Sequence, residues 1–353
     1  MKLQDFLNSK QISLYINKLP KEATLDESLF PDEKQLGLEI EQAEGSETRV
    51  KVLRVSQFDV AAKKRALSAK IDINKHEMPF FKESIGINEK QRRDIIQAQQ
   101  SGNENLIKFL LSKVFDNYSA LVAGAGCQMK RMRAQVIQNG AINISTDDGD
   151  IVVDYGIPSN HKEVLNGSSM WNDATADIIG DLLRWQAIFT DNGYAKPTNL
   201  IMTEKTFNNT IMKNTAIKED MSRRFIQNTE STNLILTTKE FLNYLKTRFG
   251  ISVAFVDGVF INENDESVNY YEDGKITFIT PGILGKSMYS YTPEEYDKSF
   301  GSSKLDTSVV GTGTAITTMV NEDPVTVDTK VSMIGMPQLE NVKGIYLATV
   351  YSE

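Results

Sequence analysis

Gly311-Thr-Gly-Thr carries two of the three glycines of a dinucleotide-binding turn, but no third follows at the required spacing. Ala315-Ile-Thr-Thr then continues as strand, so no helix amino terminus is offered to a phosphate. His76-Glu77 begins like a metalloprotease helix, yet Pro79 follows and no second histidine stands four residues on. A corner is expected there. Asp147, Asp148, Asp150 and Asp154 crowd together without the calcium-loop spacing or its closing glutamate, which predicts a solvated turn. The single cysteine, Cys127, forms no internal disulfide, and with only His76 and His161 beside it no structural zinc site is expected. Neither histidine is next to an obvious nucleophile in sequence, and nothing supports a Ser-His-Asp set drawn from distant positions. No catalytic, cofactor-binding or metal-ligating residue is assigned, and no enzyme activity or cofactor is expected.

The chain has 353 residues, with 47 acidic and 39 basic side chains and a formal charge of −8. This balance argues against a protein that grips nucleic acid tightly, because such binding draws on basic side chains displacing counterions from phosphates. Hydrophobic residues make up 40% and charged residues 24%, ordinary globular usage that admits two or three domains. The amino-terminal stretch lacks an apolar core of signal-peptide length, and no window approaches 18 uncharged apolar residues, so neither secretion nor a membrane span is expected. The lone cysteine fits a reducing compartment. Arg92-Arg93 and Lys130-Arg131-Met-Arg133 read as solvated faces or ion-pair partners rather than a DNA site.

The elements explain why local motifs carry so little chemistry. Residues 1 to 35 mix short amphipathic pieces with Pro20 and Pro31, and read as an arm that packs on something else. From Leu36 to Phe81 the residues alternate, as in Thr48-Arg-Val-Lys-Val-Leu-Arg-Val and Ala69-Lys-Ile-Asp-Ile-Asn, on either side of a charged middle, Asp59 to Arg65. A long hairpin follows, which needs a surface to lie on. After Asn88, a cap, Glu89 to Gln100 favours helix. Leu106, Leu110, Val114, Leu121, Met129, Met132 and Val136 then recur at helical steps, predicting a helix of roughly 35 residues, on the order of 50 Å long. Gly124 and Gly126 interrupt that pattern as a candidate hinge, or as small residues that admit another backbone closely.

Asn139-Gly140 ends the long helix, and residues 141 to 155 read as a second hairpin. Asn172 or Asp173 is expected to cap a helix carrying Ile178 to Phe189. Asn199 to Met202 is a short strand, and Thr203 with Glu204 opens a helix. Thr238 caps another, which Gly250 ends. Strands over Ser252 to Val256 and Lys275 to Ile279 follow, and a Thr- and Val-rich tail turns at Asp323-Pro324 and Met336-Pro337. The class is α+β without regular β-α-β repetition.

An arm, an oversized hairpin, a long helix and a mixed portion without a catalytic constellation describe a protein that buries its faces against other copies. From about residue 60 onward the chain resembles the major capsid protein E group of tailed bacteriophages, lambda-like, which share the Hong Kong 97-type capsid fold. The resemblance is carried by Lys75-His-Glu-Met-Pro79, Asn88-Glu-Lys-Gln-Arg-Arg-Asp-Ile-Ile, Gly167-Ser-Ser-Met-Trp171, Asn199-Leu-Ile-Met-Thr-Glu-Lys-Thr-Phe, Gly250-Ile-Ser-Val-Ala-Phe-Val, Asp273-Gly-Lys-Ile-Thr-Phe-Ile-Thr-Pro-Gly and Asp323-Pro324 in their order and spacing. It implies an amino-terminal arm over 1–35, an extended loop over 36–81, a peripheral domain over 82–171 with a spine helix, an axial domain over 172–310, and return strands of the peripheral domain over 311–353.

The same resemblance implies a structural head protein that self-assembles as pentamers and hexamers into an icosahedral shell around double-stranded DNA. The virion is then its location, after assembly in the cytoplasm of a bacterial host. It further implies a portal and a decoration protein as partners, and packaged DNA held without sequence-specific binding. The short portion ahead of the arm favours a separate scaffolding protein over a fused one. Candidate inter-subunit contacts are Arg49, Lys51, Arg54, Lys63, Lys64, Arg65, Arg92 and Arg93. Three alternatives stand beside this reading: an encapsulin-like compartment shell carrying protein cargo, a cytosolic enzyme without a recognisable motif, and a tail-tube or other virion protein that forms rings.

Overall fold

The computed structural model describes residues 8–20, 24–43, 73–101, 104–146, 149–226, 236–302 and 305–352. The chain divides into two compact units. One comprises residues 1–40, 75–133 and 285–338; the other comprises residues 41–74, 134–284 and 339–353.

The first unit is organised on a six-stranded sheet. Its 13-residue strand Val327–Leu339 lies between Thr314–Val320 and Phe80–Ile87, both antiparallel to it, and is also a neighbour of Gly285–Ser290. Asp306–Val310 forms one edge beyond Thr314–Val320, and Asp32–Gln35 adds in parallel to Gly285–Ser290 at the other. The amino-terminal arm is not free of its own chain. Its helix Ser9–Asn17, capped by the Asn8 side chain, covers the edge strand: Ser9 Oγ donates to Asp306 Oδ1 at 2.7 Å and Ser13 Oγ to the Val309 carbonyl at 3.0 Å. An exposed ladder edge is thereby closed. Ile12 of this helix joins Ile87, Ile95, Tyr118, Leu121, Ile316 and Val331 in the core.

The predicted long helix runs unbroken over Glu104–Asn139. Residues 104–133 fall in the first unit and 134–139 in the second. Its close approach to the sheet is made possible by Gly335, where a Cβ would meet Met288 O at 2.8 Å, Tyr289 Cδ1 at 2.9 Å and Met129 Cε at 3.1 Å. Gly124 and Gly126 have no such role, because a Cβ built at either meets nothing within 4 Å. The helix Pro293–Phe300, capped by Thr292, docks through its first turn. Glu294 accepts from Lys330 and Ser332, and Glu295 accepts from Lys34 at 2.6 Å. Carboxylates at a helix amino terminus also oppose its dipole favourably.

The second unit has a five-stranded sheet in the order Lys162–Val164, Ile345–Thr349, Lys275–Ile279, Asn199–Met202, Ser252–Phe255. Its core gathers Trp171, Trp185, Phe189, Leu200, Phe207, Phe241, Phe278 and Tyr346, with Trp171 stacked on Trp185 at 5.3 Å. The hairpin over 141–155 forms as expected, Ala141–Thr146 against Gly149–Asp154. The helix Ile178–Asp191 is capped by Asp177, not by Asn172 or Asp173, since Asp177 Oδ1 accepts from Gly180 N at 2.9 Å. Thr237 rather than Thr238 caps Thr238–Phe249, through a capping box with Glu240, and Gly250 ends it at φ 69°. Met336-Pro337 is no turn; both residues lie within Val327–Leu339. The paired stretches with Thr314–Val320 and Phe80–Ile87 end by Ile334, and beyond it the strand continues through Pro337 beside Gly285–Ser290.

Candidate functional site

The motifs that imitate catalytic sequences are occupied with structure. Gly311 turns the chain at φ 59°, and Gly313 lies against the Tyr289 ring with no room for a Cβ, so Gly311-Thr-Gly-Thr is a packed turn between two strands. His76 belongs to the strand Ile73–Glu77 instead of a corner, and the break falls at Met78-Pro79. Asp154 binds the Gly156 N–H and Asp150 pairs with Ser145; Asp147 and Asp148 lie outside the described residues. Among the described residues no group of three or more His, Cys, Asp or Glu side chains could hold a metal ion, and no helix is long and apolar enough to cross a membrane.

Three groups with displaced proton affinities are engaged by their own neighbours. His161 is 1% exposed, packs on Phe189 at 4.8 Å and places Nδ1 3.0 Å from the Ile345 carbonyl; burial lowers its pKa. Glu163 accepts hydrogen bonds from Arg184, Trp185 and Tyr346. Burial pushes its carboxyl up, and those three donors together bring it net below the usual range. Burial pushes the Tyr289 hydroxyl up to about 12. None of the three lines the concavity on the helix Glu89–Gln100 described below.

Arg133 of the Lys130-Arg131-Met-Arg133 cluster takes the ion-pair alternative. It is buried, donating from Nη1 to Asp26 Oδ2 at 2.9 Å and from Nε to Ser287 Oγ at 2.9 Å, with Asp32 at 3.4 Å. Its position four residues after Met129 and four before Ile137 places it on the buried face of the long helix, a signal present in the sequence.

Of the candidate contact residues, Arg49, Lys51, Arg54, Lys63, Lys64 and Arg65, together with the whole charged middle of the hairpin, lie outside the described residues. Only the hairpin base is described, Glu39–Ala43 paired with Ile73–Glu77. Arg92 and Arg93 stand on the helix Glu89–Gln100, whose start is fixed at Asn88, the predicted cap, by a capping box with Gln91. Gln91 N donates to Asn88 Oδ1 at 2.9 Å, and Asn88 N to Gln91 Oε1 at 3.2 Å. With Glu89, Ile96, Gln97, Gln100 and Val325 they line a concavity of about 580 Å³. The described residues also leave large apolar side chains uncovered on regular elements, Leu106 at 42% and Phe109 at 54% on the long helix among them.

The profile of the phage major capsid protein E family matches residues 8–350, and the chain belongs to that family. It is a phage or prophage major capsid protein of the Hong Kong 97-like α+β fold, a virion component and not an enzyme. A prophage protein of Escherichia coli CFT073 assigned as a capsid protein is similar in structure, with TM-score 0.59 at 10% identity over 98% of this chain and 99% of that one. A phage-related protein of Bordetella bronchiseptica RB50 gives TM-score 0.53 at 10% identity, covering 97% of each chain. No curated protein matches the chain.

Proposed function

We propose that copies of this chain associate as pentamers and hexamers into an icosahedral shell that encloses a double-stranded DNA genome, assembled in the host cytoplasm. The observation that supports this reading is the set of apolar side chains left uncovered on ordered elements, Leu106 and Phe109 on the long helix and Leu36, at 62%, beside the hairpin base. Such side chains find cover on another copy. The arm over 1–35 and the loop over 36–81 are assigned to contacts with neighbours, 82–171 with 311–353 to the peripheral domain, and 172–310 to the axial domain. A scaffolding protein, a portal and a decoration protein are the partners of such a shell. The formal charge of −8 per copy keeps the lining from adhering tightly to packaged DNA.

Many weak repeated contacts give a shell that is collectively stable while each contact stays correctable. Electron microscopy of the purified protein, alone and with neighbouring gene products, tests the reading. Closed shells are expected, forming faster in moderate salt as acidic repulsion is screened. A chain that remains solitary at high concentration with every helper overturns it. Deleting 59–65 is expected to impair assembly more than folding.

A further inference from the structure

The concavity on the helix Glu89–Gln100 has an unfinished hydrogen-bond inventory. Arg92 Nη1 is shut off from solvent yet has no hydrogen-bond partner among the described residues. A guanidinium nitrogen removed from water without an acceptor carries an uncompensated desolvation cost until one arrives. The acid in the lining does not supply it, because Glu89 Oε1 accepts from the Val325 N–H at 3.0 Å, across the concavity wall. Arg93 is exposed beside it, and Gln97 and Gln100 bring amide donors. Two guanidinium groups, amide donors and apolar edges from Ile96 and Val325 make a carboxylate-sized receptor, since the planar fork of arginine matches two carboxylate oxygens.

We propose that this concavity receives an Asp or Glu carboxylate of a second copy of the chain, with Arg92 as the anchoring donor. The proposal rests on the assembly reading above and adds the chemistry of one contact. Charge complementarity selects the occupant. Each copy carries 47 acidic against 39 basic side chains, so every neighbour brings an excess of carboxylates. A nucleic acid backbone would meet a net negative chain at a single pocket, without the run of basic residues that tracks successive phosphates.

The test compares shells of the wild-type chain with those of Arg92→Glu/Arg93→Glu, Arg92→Gln and Arg92→Lys, each first checked for an unchanged circular dichroism spectrum. The charge-reversed variant is expected to lower shell yield by about tenfold or more, because a weakened contact is repeated throughout the particle. Arg92→Gln should lower yield less, and Arg92→Lys should keep most of it. In shells of Arg92→Lys made from mixed light and heavy isotope-labelled copies, a zero-length carbodiimide is expected to join the introduced lysine to an Asp or Glu of a different copy. Should charge reversal fail to fold, Arg92→Gln and the cross-link decide alone. Wild-type yield from the charge-reversed or Gln variant, a cross-link confined to one copy, or a defect seen only in DNA-filled particles overturns the carboxylate assignment and leaves shell assembly standing. Failure of the wild-type chain to form shells overturns the assembly reading itself.

Discussion

Arg133 Nη1 donates to Asp26 Oδ2 at 2.9 Å with the two side chains only 5% and 6% exposed, so the 1–35 segment is held to the long helix by a buried ion pair. Glu27 and Asp32 stand farther out at 3.9 and 3.4 Å and share the same guanidinium. A buried pair is weak evidence of net stability, but removing one member strands the other charge.

Asp26→Leu or Arg133→Met is therefore expected to destabilise the unassembled subunit by about 3–5 kcal/mol. The double variant Asp26→Leu with Arg133→Met should recover most of that loss. Urea denaturation of the four proteins measures it, and strictly additive losses would show that the two residues do not act as a pair.

Three glycines near one helix should respond in opposite directions. At Gly124 and Gly126 an added methyl meets open space, so alanine at each should stabilise the subunit by about 1 kcal/mol through helix propensity. At Gly335 the methyl meets Met288 O and Tyr289, and Gly335→Ala should cost about 1–3 kcal/mol. Thermal melts decide the sign. If Gly124→Ala/Gly126→Ala subunits are stabilised yet form particles that do not mature, the glycines act as the hinge; unchanged particles remove that role.

His161 gives the second unit a defined pH response. Burial holds its folded-state pKa below the ordinary 6.5, the Lys343 charge adds to this, and the bond to Ile345 works the other way. The unfolded chain thus binds the proton first. Stability is full above pH 6.5 and falls as pH drops below it, by up to about 1.4 kcal/mol per pH unit. Glu163 and Glu294 have carboxyls net below the ordinary 4.5, so their contributions start to be lost only near and below that value. Melting midpoints between pH 7.5 and 5 should slope downward in the wild type and flatten in His161→Gln.

Covering the sheet edge is assigned to the arm. Ser9→Ala removes the hydroxyl donor to Asp306 Oδ1 and the partner of Ser308, leaves the Ser9 N–H on Asp306 Oδ2, and should cost about 1–2 kcal/mol. Deleting residues 1–18 uncovers the strand Asp306–Val310 and should produce soluble aggregates that bind a β-specific dye. Light scattering indistinguishable from the full chain would show that the edge needs no cover.

The fold was legible where a local signal and its tertiary setting agree. Asn88, Thr203 and Gly250 announce helix ends because their side chains, or the lack of one, serve the neighbouring backbone directly. Pro337 misleads because a proline reads as a break, whereas the strand runs through it beside Gly285–Ser290. Arg133 read as a solvated face or an ion-pair partner, and what decides between them is a partner 107 positions away in sequence. Arg92 was legible as a charge of interest, but the concavity around it needs Val325, brought from a distant turn.

The strand Val327–Leu339 carries a consequence for the order of synthesis. Its ladder partners include Phe80–Ile87, made some 240 residues earlier, and the second sheet likewise awaits Ile345–Thr349 to join Lys162–Val164 to Lys275–Ile279. A chain cut short of residue 327 can complete neither sheet. Polypeptides that stop there therefore lack a finished surface to offer and are expected to be left out of particles.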